Sequence, residues 1–175
     1  MAKGVVRTDK MFGTDNRTGL MSIKYMGSGT TATEIQNGMV AAIDGLLTDN
    51  GVVVSREVYK AVTPAANTAR AKLVLIATPD LEYCPCKSIT DFTNEAGDLA
   101  RVYSLEAPDQ IFSVTKDVLD GVSAPAVGDL VEAKAGTKLN VVAKATGYTA
   151  NSTHVGEIIQ IETAGNLTLY VIQTV

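Results

Sequence analysis

Four stretches of this sequence carry residue types capable of chemistry, and none completes a site. The single histidine is His154, in Asn151-Ser-Thr-His154. Imidazole can act as acid, base or ligand. A hydrolytic triad needs a nucleophile beside that base and an acid to orient it, and no Gly-x-Ser-x-Gly elbow occurs. His154 therefore reads as a surface residue at the end of a strand. The two cysteines form Cys84-Pro-Cys86. Zinc sites use cysteines separated by two to four residues, completed by a second pair or by histidines. A one-residue spacing also strains a bridge between the two thiols. Cys84 and Cys86 are left with three alternatives: a structural or incidental role, a disulfide between subunits, or half of a metal site. Gly27-Ser-Gly-Thr-Thr-Ala32 fits the loose dinucleotide pattern. That pattern works only inside a strand–helix–strand unit, where a helix N-terminus meets the pyrophosphate, and no such alternation follows here. Asn16, Asn151 and Asn166 each begin an Asn-x-Ser/Thr triplet. The first residues lack the apolar core of a secretion signal, so these read as chance matches. The expectation is a non-enzymatic chain without cofactor or metal.

The elements that would position any site are strands. Val, Ile and Thr number 20, 10 and 20 of the 175 residues. These β-branched types suit a pleated, half-buried surface. Expected strands are Val52–Val54, Glu57–Val62, Lys72–Ala77, Val102–Leu105, Ile111–Thr115, Leu130–Ala133, Lys138–Lys144, Val155–Thr163 and Leu167–Thr174, separated by Gly, Pro, Asn and Asp turns. Ile35 to Leu47 has helical spacing, but Asn37-Gly38 and Gly45 interrupt it, which favours a turn leading into a strand at Met39–Ile43. Thr115–Leu119 could form a single helical turn. The last two strands should make a hairpin around Gly165, covered on both faces. Many short strands with regular punctuation predict an all-β fold, a β-barrel or β-sandwich body. No stretch of 18 apolar residues suggests a membrane span.

Charge divides the chain. Up to Thr33 there are five basic and two acidic residues, a net +3; from Glu34 onward there are 10 basic and 17 acidic, a net -7, and together they give -4. The expected organisation is an extended basic N-terminal arm, residues 1–33, ahead of a β-rich body, residues 34–175, with a glycine-rich joint after Tyr25. The alternative is that this segment is an edge strand of the chain's own sheet. Cations so dispersed make a poor phosphate track, and the pI near 5.0 argues against direct nucleic-acid binding. Charged residues make up only 19% of the chain, below the usual level of about 25%. Either a partner covers part of the surface, or that surface is rich in Thr, Asn and Ser.

A resemblance bears on these alternatives. The stretches Glu57–Thr68, Leu73–Pro79, Asp91–Gly97 and Gly128–Glu132 with Gly136–Leu139 resemble small structural proteins of tailed bacteriophages, the decoration or cement proteins of the capsid exterior. The likeness spans roughly residues 34–175, and Cys84-Pro-Cys86 is not part of it. It implies a protein made in the host cytoplasm that ends on the outer surface of the virion. There it would bind the major capsid protein and itself, as a homotrimer, and stabilise the shell by bridging subunits. Neither a membrane nor nucleic acid is implied as a partner. In that setting an arm could add a strand to a neighbour's sheet. Candidate capsid or subunit contacts are Lys3, Arg7, Lys10, Phe12, Arg17, Met21, Ile23 and Tyr25, with the last three as apolar anchors. A rival function is recognition of host glycans or a receptor by a virion-surface β-domain through Tyr148, Asn151 and nearby loops, although the chain has no Trp and only nine aromatic residues. A thiol titration of the purified protein without reductant is expected to find both cysteines free; a loss of free thiol reversed by reductant would establish the inter-subunit disulfide.

Overall fold

The computed structural model describes residues 3–11, 20–29, 31–79 and 89–175. Its elements are strands joined by turns and short 3-10 segments. In chain order the strands are β1 Val6–Lys10, β2 Leu20–Tyr25, β3 Val40–Leu46, β4 Thr48–Asp49, β5 Val52–Val53, β6 Val58–Val62, β7 Leu73–Ile76, β8 Leu99–Ser104, β9 Ile111–Thr115, β10 Leu119–Gly121, β11 Leu130–Ala133, β12 Leu139–Val142, β13 Thr153–Ala164 and β14 Leu167–Thr174. The fold is all-β, as expected. Five strands close a barrel in the order β2-β6-β3-β7-β8. Seven others form an open sheet in the order β1-β9-β14-β13-β11-β12-β10. β4 and β5 make a small separate hairpin.

The two-residue side-chain period explains how barrel and sheet share a core. All four residues of β7 are buried. Val74 and Ile76 face into the barrel beside Ile23, Tyr25, Ala41, Ala61 and Val102. Leu73 and Leu75 face out of it, against Phe112, Val114, Val131, Val155 and Ile172 of the open sheet. β3 divides in the same way, with Val40 outward and Ala41 inward. The β3–β7 wall is thus one surface of two cores, and β7 reads as an unbroken apolar run because it has no wet face. A five-strand barrel is narrow, which fits the alanines at positions 41, 61 and 100 inside it.

Polar side chains close the ends. Asn37 donates to the Thr78 carbonyl at 2.8 Å and accepts from the Thr78 amide at 3.0 Å. The Asn94 amide group bonds the Ile35 carbonyl at 3.0 Å, and the Thr78 hydroxyl bonds Asn94 at 2.5 Å. These side chains satisfy backbone groups that the strands leave open at one end of the barrel. Between barrel and sheet, Arg70 donates to the carbonyls of Leu105, at 2.8 Å, and Val175.

Among the described residues of the first 33, two strands belong to the sheets of the body, where the sequence predicts an extended arm. β1 pairs antiparallel with β9 as the edge of the open sheet. β2 lies inside the barrel wall, parallel to β6 and antiparallel to β8. The Met21/Ile23/Tyr25 alternation is a true strand pattern, but its partners are β6 and β8 of the same chain. Asn37 and Gly38 form a turn, with Gly38 at φ 81°, and β3 follows as a strand and not a helix. The expected helical turn after Thr115 is a 3-10 segment, Lys116–Val118, and Leu119–Gly121 continues as a strand parallel to β12.

Two substitutions test this architecture. Ile23 is fully buried, so Ile23→Ala is expected to lower unfolding stability by about 3 kcal/mol in denaturant titration. A change near zero would mean that β2 is not part of the barrel. Gly156 lies against β14 so closely that an added Cβ would overlap the Gln173 carbonyl oxygen. Gly156→Ala is expected to cost about as much, because backbone cannot move aside as a flexible side chain can.

Candidate functional site

The residues expected to contact a partner are dispersed by the fold. Met21 is half-buried against the barrel core, Ile23 is inaccessible, and Tyr25 is buried with its hydroxyl 2.6 Å from the Thr63 hydroxyl. As placed, Ile23 and Tyr25 are core residues and offer nothing to a neighbour; barrel closure has already used the face they share. Arg7 also has partners within the chain. Its Nε bonds Asp9 at 2.5 Å and a terminal nitrogen bonds Glu162 at 2.6 Å, which together raise its pKa. Asp9 accepts in turn from the Ser113 hydroxyl at 2.6 Å. This cluster ties β1, β9 and β13 across one face of the sheet. Arg7 therefore meets the acidic surface of its own chain. The Lys3 amide bonds the Thr90 carbonyl at 2.8 Å. Lys10 is placed by its backbone opposite Ile111. Phe12, Arg17, Cys84 and Cys86 lie outside the described residues.

Exposed apolar side chains stand elsewhere: singly at Leu99, Val127 and Val175, and grouped on two projections. The first is the β4–β5 hairpin, where Val52 is 68%, Val53 47% and Val54 56% exposed. Its Asn50-Gly51 turn has φ of 48° and 80°, the left-handed pair that a two-residue hairpin requires. The second is the outer half of β13. β11 pairs with Thr153 to Glu157 only, so the strand beyond Ile158 has β14 on one side and an open edge on the other. Ile159 and Ile161 on that stretch are each 39% exposed. The sequence signals the turn at Thr48–Gly51 but not the exposure of either projection. Three consecutive valines read as a core strand, and the open edge depends on how far β11 extends.

Two carboxylates are buried among the described residues, Asp129 and, more deeply, Glu132. Glu132 on β11 is wholly inaccessible. Its Oε2 accepts from the Ser152 hydroxyl at 2.6 Å and the Thr149 amide at 2.8 Å. Its Oε1 accepts from Asn140 at 2.8 Å and Lys134 at 3.1 Å. Burial by itself favours the neutral acid, but the hydrogen bonds from Ser152, Thr149 and Lys134 outweigh it and hold the pKa at about 2. A carboxylate bonded this firmly is an anchor, and what it anchors is the loop from Thr149 to Ser152 that leads into β13. Beside it Tyr148 stacks on His154, with ring centroids 3.7 Å apart and planes 12° apart. The Tyr148 hydroxyl donates to the Gly156 carbonyl at 3.1 Å. One face of the ring and the hydroxyl, which glycan recognition would use, are thus occupied within the chain. Among the described residues no group of three or more His, Cys, Asp or Glu could hold a metal. No helix there is long and apolar enough to cross a membrane.

Fold and surface together define an all-β protein with a two-part core and two apolar projections. No protein-family model matches the chain, and no curated protein or solved structure matches it either.

The Glu132 anchor predicts an acid response of definite sign. The folded pKa lies below the ordinary value of 4.5, so its contribution is complete above that value and is lost as pH falls toward about 2. Glu132→Gln is expected to lower stability at neutral pH by about 2 kcal/mol and to flatten the acid limb. Unfolding titrations from pH 7 to strongly acidic conditions check both; an unchanged acid limb would mean that Glu132 is not the anchor.

Proposed function

We propose that this protein is a non-enzymatic decoration protein of a tailed-bacteriophage capsid, bound to the outer surface of the shell and bridging major capsid protein subunits. Two things support this reading. The sequence resembles such proteins over roughly residues 34–175. The body also carries exposed apolar side chains on projections. Of these observations, the open outer edge of β13 with Ile159 and Ile161 carries the most weight. An unpaired strand edge offers backbone donors and acceptors in register, and a capsid-protein segment can add to it as a further strand. Many weak contacts of this kind, repeated over a lattice, give firm attachment through effective concentration.

β1 and β2 are part of the body, so deleting the first 26 residues tests folding more than attachment. Exposed single positions are better probes. Particles purified from cells that produce the phage are expected to carry the wild-type protein together with the major capsid protein. The Ile159→Asp/Ile161→Asp variant should fold normally but lose at least about tenfold in occupancy, about 1.4 kcal/mol of binding. A wild-type protein found only in the soluble fraction would refute the proposal. Full occupancy by the variant would remove β13 as the contact.

A further inference from the structure

The Val52–Val54 hairpin is a knob without a hole in its own chain. β3 leads out to it, and the four residue steps from Asp44 to Thr48 span at most about 13 Å. A two-stranded hairpin is marginal in water, and this one contributes no residue to either core. Val52 and Val54 share one face by strand period, and Val53 occupies the other. Exposed apolar surface concentrated on one projection marks a contact.

A cleft that could receive such a knob lies beside the middle of β3, at Ala42 to Asp44. Ile43, Val62, Ala65, Ala66 and Ala69 line it together with polar residues that include Asn67 and Lys72. The cleft encloses about 360 Å³, and its alanine wall leaves that space unfilled. This is about twelve water volumes, enough for branched aliphatic side chains at a hairpin tip. The charges also match. Asp49 on the hairpin and Lys72 on the cleft have no ion-pair or hydrogen-bond partner for their side chains among the described residues, whereas Asp44 in the cleft is already paired with Lys60 at 2.9 Å.

We infer that the Val52–Val54 hairpin of one copy docks into the alanine-walled cleft of a second copy of this chain, with Asp49 facing Lys72. Knob and hole are different surfaces, so the contact is heterologous and copies add head to tail until a ring closes. Each contact is small but sufficient for pairing at the upper end of the concentration range used below, and closure adds to its affinity. The inference goes beyond shell attachment and does not rest on it. Its test uses free protein, so failure here leaves shell attachment standing, and failure of shell attachment leaves this interface standing.

Sedimentation of the purified full-length chain from micromolar to near-millimolar concentration is the measurement. Wild type is expected to exceed the monomer mass of 18.4 kDa. Val52→Lys/Val54→Lys, which blunts the knob, and Ala66→Trp, which fills the hole, should each sediment as monomer with unchanged unfolding midpoints. Both change exposed positions, so folding is not at risk. Mixed in equal amounts, the two variants retain one intact knob and one intact hole between them, and should form a dimer of twice 18.4 kDa. Charge reversal is the second check: Asp49→Lys and Lys72→Asp should each weaken association, and the double variant should recover it. A monomeric wild type, oligomers that survive either blocking variant, or a mixture that stays monomeric would each overturn the inference.

Discussion

The β3–β7 wall is the constraint on which the rest of the structure depends. Leu73 and Leu75 bury on one side of it, Val74 and Ile76 on the other, and both cores use the same backbone. Removing area from water at about 25 cal/mol per Å² makes such a strand valuable on both faces at once. The shared wall also fixes the barrel against the open sheet. Barrel closure leaves no free edge in that half of the molecule, so unpaired edges and apolar projections are confined to the periphery. The hairpin at Val52 and the outer half of β13 are grouped apolar surfaces of that periphery, beside the single exposed residues Leu99, Val127 and Val175.

The strands were largely legible in the sequence, and their neighbours were not. Ile111–Thr115, Leu130–Ala133 and Leu167–Thr174 fall on the expected bounds, because alternation and turn residues are local signals. The expected two-sided cover of the Gly165 hairpin holds only for the inner part of β14, where Leu169, Val171 and Ile172 are buried and Tyr170 half-buried; the outer part, from Ile159 to Thr168, is largely exposed. β2 illustrates the limit. Its alternation identified a strand and could not say whose sheet it joins. Pairing Ile23 with Tyr59 in parallel is a contact between residues far apart in the chain, with no turn chemistry to announce it. The cationic character of the first residues suggested an acidic partner, and for Arg7 that partner is Glu162, 155 positions away.

The functional surfaces were the least legible part. Val52–Val54 has the composition of a core strand, and only the closed barrel shows that no core reaches it. Glu132 has the pattern of an ordinary strand acid. Its burial follows from the loop that Thr149 and Ser152 fold over it. In both cases a local pattern is compatible with opposite environments, and tertiary packing chooses between them. The candidate cysteine chemistry lies at Cys84 and Cys86, outside the described residues.

A protein that holds a shell together needs a rigid body and repeated shallow contacts, and this chain combines a doubly buried wall with apolar projections. Image reconstruction of the intact tailed-phage particle tests that account most directly. It predicts density for the barrel and open sheet on the outer face of the shell, spanning joints between capsid subunits, with the outer strand of β13 against the capsid protein. A bare outer surface, with this protein lodged inside the head, in the tail, or absent from the particle, would contradict it.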